Sequence, residues 1–133
     1  MKTPQTRAET IGKYGCLAMC YLYCVGIDPE KDGTMIEYVS RAMDAGLLDD
    51  ECTVLDASRY LQHFTGKWYD VIKKDITDIS DIKDQTPVRY SYNGRGHWVV
   101  VEDGKIVFNP LQESVRVANG APDSARIIRL RQY

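Results

Sequence analysis

At 133 residues the chain is long enough for one domain that buries a core without disulfide or metal staples. Hydrophobic residues make up 44% and charged residues 27%, the composition of a soluble globular protein. Lys and Arg number 17 against 19 Asp and Glu, a net charge of −2, so nucleic acid and anionic membrane surfaces are not expected partners. Met1 to Glu9 lacks the apolar run of a secretory signal, and the apolar stretch from Leu17 to Ile27 is too short to span a bilayer. A cytoplasmic, reducing location is the expectation, and with it four unpaired thiols at Cys16, Cys20, Cys24 and Cys52.

The first half reads as helices and the second as strands, the pattern of an α+β fold in a single domain over residues 1–133. A helix is expected from Gly15 to Val25, where Leu17, Cys20, Tyr21, Cys24 and Val25 recur at helical spacing and Gly26 supplies a left-handed stop. Thr34-Met35-Ile36-Glu37 reads as a capping box. Met35, Val39, Ala42 and Met43 form the apolar stripe of the helix it opens, and Gly46 ends that helix. A third helix is expected over Thr53–Thr65, with Val54, Ala57, Leu61 and Phe64 on one face and His63 exposed.

Residues 67–73 are aromatic and β-branched and predict a strand. The run Asp75 to Asp84 repeats Asp-Ile every three residues without the spacing of a calcium loop. A short helix or 3₁₀ turns with isoleucines inward and aspartates in water would suit it. From Pro87 onward a β-meander is expected: Val88–Tyr92, a turn at residues 93–96, His97–Glu102, a turn at Asp103-Gly104, Lys105–Asn109, Val115–Ala118 and Ala125–Arg131.

Three positions carry chemistry. Cys16 opens the first helix, where backbone N–H groups and the helix dipole favour a thiolate and could hold an oxyanion. Gly15 before it would let the chain turn tightly and leave room for a substrate. His97 begins the apolar strand Trp98-Val99-Val100-Val101, a place for a base at the mouth of a cleft. Asn109 could orient that base. A three-residue loop at Glu102-Asp103-Gly104 would pair Val101 with Lys105 and His97 with Asn109, whereas a two-residue Asp103-Gly104 turn would throw Asn109 to the other face. In the three-residue register Val99, Val101 and Val107 would share the catalytic face, and both faces of the hairpin would be covered. Cys16, Cys20 and Cys24 lie four apart on one helix, a poor zinc pattern, and Cys20 and Cys24 read as small core residues.

Tyr14-Gly15-Cys16-Leu17-Ala18-Met19-Cys20-Tyr21-Leu22, then Pro87-Val88, Gly96-His97-Trp98-Val99-Val100-Val101 and Asn109-Pro110, resembles the C39-like branch of papain-fold cysteine peptidases over nearly the whole chain. That resemblance implies N-terminal helices packed on a C-terminal antiparallel sheet, with Cys16 as nucleophile, His97 as base and Asn109 as orienter. Leu17 stands where the family has a glycine, and Thr10 where it places the glutamine of the oxyanion hole. Gln5, farther from Cys16, is therefore the oxyanion candidate. The expected reaction is hydrolysis of a peptide or isopeptide bond in a peptide or protein substrate through a thiolate acyl-enzyme, with no metal or organic cofactor. Two alternatives stay open: a catalytically silent papain-fold binding module, and a transglutaminase-like acyl transferase.

Overall fold

The computed structural model describes residues 9–11, 14–27, 35–110 and 119–132. Helices α1 (Cys16–Cys24), α2 (Met35–Asp44) and α3 (Ala57–Thr65) precede strands β1 (Tyr69–Asp75), β2 (Thr86–Tyr92), β3 (Arg95–Glu102), β4 (Lys105–Phe108) and β5 (Ala121–Leu130). The strands form one antiparallel sheet in the order β1-β5-β2-β3-β4. The α+β division read from the sequence is the one observed. Among the described residues no helix is long and apolar enough to cross a membrane.

α1 has no single apolar stripe because it is covered on more than one side. Ala18, Met19 and Leu22 join a cluster with Val39 and Ala42 of α2 and Tyr60 and Leu61 of α3. Cys16 and Cys20 instead pack against Trp98 and Val100 of β3. The Tyr60 hydroxyl donates to the buried Ala18 carbonyl at 3.0 Å, so the phenol enters the core without an orphaned polar atom.

α2 buries Met35, Val39, Ala42 and Met43 as expected, whereas Thr34 of its cap lies outside the described residues. α3 starts four residues later than Thr53. Leu48 and Val54 pair across a small antiparallel bridge, which draws residues 53–55 out of the helix. Asp56 is extended instead and caps α3, its carboxylate accepting from the Arg59 N–H at 3.1 Å.

The Asp-Ile run forms turns and bends rather than a helix. The Asp78 carboxylate accepts the Ser80 N–H at 2.8 Å, a local bond that competes with helical pairing. The sidedness is nonetheless the one expected. Ile76, Ile79 and Ile82 cover Val88, Tyr90, Val99 and Val101 on the sheet face away from the helices, while Asp75, Asp78, Asp81 and Asp84 are exposed. β3 is therefore buried on both faces, whereas β4, like β1, is an edge strand, with Ile106 and Val107 exposed. The strand expected over residues 115–118 lies outside the described residues, and the last strand begins earlier than expected, at Ala121.

Candidate active site

The β3–β4 turn decides where Asn109 falls. The structure does not have the three-residue loop expected there. Glu102 pairs with Lys105 and Val101 with Ile106 across a two-residue turn, in which Asp103 (φ 51°) and Gly104 (φ 71°) are both left-handed. Two left-handed central residues are the type I′ geometry that matches strand twist, which is why the shorter turn wins. The register then shifts by one residue: Val100 faces Phe108, leaving Val107 as the extra residue of a β-bulge. The bulge reverses the alternation that the short turn would impose, so Phe108 follows Val100 to the helix side and Asn109 returns to the side of His97.

The outcome is a contact. His97 Nε2 lies 2.6 Å from Asn109 Oδ1. An amide oxygen only accepts, so Nε2 carries the proton in the neutral ring and Nδ1 keeps the lone pair that a base requires. The imidazole is almost wholly buried, at 2% exposure, and Tyr90 of β2 is its cross-strand neighbour.

Cys16 is nearly buried too, at 9% exposure. The helix start that holds it differs from the simple one expected. Residues 9–11 are already helical, and the Gly15 N–H donates to the Ile11 carbonyl at 2.9 Å, a bond of helical spacing that ties Ile11 to the start of α1. Gly15 is needed for that join, because a Cβ there would stand 2.6 Å from the Ile11 carbonyl oxygen. Close backbone packing explains this glycine, rather than room for a substrate. Gln5 lies outside the described residues, and Thr10 is buried.

Cys16 and His97 line one cavity of about 1170 Å³ between the start of α1, the loop before α3 and the helix-side face of the sheet. They reach it from different directions. Cys16 packs on the side of β3 that carries Trp98 and Val100, whereas His97 alternates to the side of Val99 and Val101 at the start of the strand. The structure thus joins His97 to Asn109 by a hydrogen bond and joins Cys16 to His97 through a shared cavity. The face expected to be catalytic, that of Val99, Val101 and Val107, is not the one on which α1 lies.

None of the four cysteines is in a disulfide, and their environments differ. Burial pushes the Cys20 thiol well up, and Cys16 and Cys24 nearby add to the effect. Cys24 is pushed up to about 12, by burial first and by the Glu102 carboxylate second. Among the described residues no group of three or more side chains could hold a metal ion.

Several cavity residues escaped the reading of the sequence. Cys52 lies on the wall formed by the loop before α3, its backbone left-handed at φ 62°. Asp49 enforces that bend by accepting the Glu51 and Thr53 N–H groups, each at 2.9 Å. Lys73 and Arg126 lie on the floor, as direct cross-strand partners. Each is a basic residue within two positions of an apolar one on its own strand, Val71 and Ile128, but their pairing needs a register between residues far apart in the chain. Set beside known proteins, the chain matches no family model, no curated protein and no solved structure.

Proposed function

We propose that the protein is a papain-like cysteine hydrolase, working in a reducing cytoplasm, that cleaves a peptide or isopeptide bond. One observation carries this: the His97–Asn109 hydrogen bond, at the cavity that Cys16 also lines. In this reading Nδ1 of His97 takes the Cys16 thiol proton, and the thiolate attacks the acyl carbon. The amine leaves with the proton returned by His97, and water then hydrolyses the thioester. Asn109 holds the imidazole in the tautomer that this proton path requires.

A second reading, a silent module that binds through the same cleft, is favoured by the seating of Cys16 against Trp98 and Val100 on the far side of β3 from His97. Thiol alkylation separates the two. With iodoacetamide at pH 7 and peptide mass spectrometry, the hydrolase reading expects Cys16 to be modified before Cys20, Cys24 and Cys52. His97→Ala should lower the Cys16 rate at neutral pH, and turnover of any substrate should fall on the order of 10²- to 10⁴-fold. A Cys16 that reacts no faster than Cys24, or at a rate indifferent to His97, would leave the silent module standing.

A further inference from the structure

The charge lining the cavity has the opposite sign to the molecule. Lys73, Arg95 and Arg126 face it, and among the described residues Glu51 is the one carboxylate on its walls, in a chain of net charge −2. Lys73 of β1 and Arg126 of β5 are paired directly across the ladder, on the face where Val71 and Ile128 pack against the helices. Like charges opposed in this way repel and cost stability unless an anion sits between them.

Two arginines in and beside the sheet are settled differently. Arg89 holds Asp123 through two nitrogens, at 2.8 and 3.1 Å, and Arg131 holds Asp70 at 2.8 Å. Neither Lys73 nor Arg126 has a carboxylate partner among the described residues. Arg126 is nonetheless held in place. Its guanidinium lies 4.7 Å from the centre of the Trp98 ring, and Nη1 donates to Ser124 Oγ at 2.8 Å. These contacts orient the cation without neutralising it, and a guanidinium has donors left over for a planar acceptor.

We propose that the cleft selects a peptide carrying a carboxylate, from an acidic side chain or a free C-terminus, seated on Arg126 and Lys73. The single charge of a carboxylate suits a wall that also carries Glu51, which repels a phosphate dianion more strongly. Calling this peptide a substrate rests on the hydrolase reading above, but the carboxylate seat is measurable without turnover.

The test uses Cys16→Ala protein and acetylated alanine pentapeptides with a central Glu or Gln, each ending in a carboxylate or an amide. A carboxylate-bearing peptide should bind about tenfold more tightly than the wholly neutral one, a preference that salt weakens. Lys73→Gln, a change at an exposed side chain, should remove most of that preference while thermal unfolding stays that of a folded chain. The Glu–Gln contrast reports a side-chain source, and the acid–amide contrast a terminal one. Equal affinity for all four peptides, no binding to any, or a preference untouched by Lys73→Gln overturns the proposal. Carboxylate-selective binding with no cleavage by the native chain would sink the hydrolase reading alone. Equally fast cleavage of neutral and acidic peptides would sink the carboxylate seat alone.

Discussion

Gly15 and Cys16 are neighbours with opposite tolerances. Gly15→Ala would drive a Cβ to 2.6 Å from the Ile11 carbonyl oxygen and 3.0 Å from its Cγ2, contacts that backbone movement alone can relieve. We expect a loss of about 1–3 kcal/mol in urea unfolding, the usual cost of overpacking. Cys16→Ala removes one sulfur from a site that borders a cavity, and its unfolding midpoint should move less than that of Gly15→Ala. A Cys16→Ala variant that loses more stability than Gly15→Ala would mark Cys16 as a core residue first. Cys24 supplies the contrast among the thiols: at a pKa near 12 it stays protonated at pH 7, so its modification should wait for unfolding or strong alkali.

At the scale of elements, the β3–β4 hairpin shows what a sequence can and cannot fix. The pattern of residues 97–109 contains two apolar strands and an Asp-Gly turn, and both were legible. Turn length and bulge were not, because either turn length satisfies the local sequence, and the bulge answers to packing of Phe108 against Val100 and the stacked Tyr23 ring, 4.5 Å away. Two departures, a shorter turn and an inserted residue, cancelled each other, so Asn109 reached the side of His97 by a route different from the expected one. Deleting Val107, an exposed residue, should therefore leave a regular hairpin with Phe108 still opposite Val100 and Asn109 still beside His97. Retained core chemical shifts for Phe108 and a His97 ring still bonded to Asn109 would be the outcome expected by NMR; loss of both would refute this account of the bulge. The β2–β5 junction is held by charge instead. Hydrogen bonds from Arg89 and then Ser91 hold the Asp123 carboxyl below its ordinary range. A folded pKa below the unfolded one stabilises at neutral pH and loses that contribution as acid protonates the group. Asp123→Asn should cost under about 1 kcal/mol at pH 7, since both partners are more than a third exposed, and should match the native protein as pH falls well below about 4. Urea midpoints at the two pH values check it.

For the molecule as a whole, the order of layers followed from composition along the chain, but the strand order did not. Helices preceding strands announced an α+β arrangement, and the Asp-Ile run announced which side would face water. The placement of β5 between β1 and β2 rests on pairs such as Tyr69 with Leu130 and Val88 with Ala125, which local pattern does not encode. Removing residues 121–133 should therefore abolish cooperative unfolding rather than trim an edge, because β1 would lose its one strand neighbour among the described residues; a truncated chain that still melts cooperatively would disprove this. The same placement bears on how the protein is made. A ribosome delivers residues 121–130 after all the other strands, so β1 and one flank of β2 emerge with unpaired backbone and nothing yet to pair with. Through that interval the nascent chain presents two open edges, which makes holding by a chaperone, and the pace of translation before Ala121, determinants of how much of it escapes aggregation.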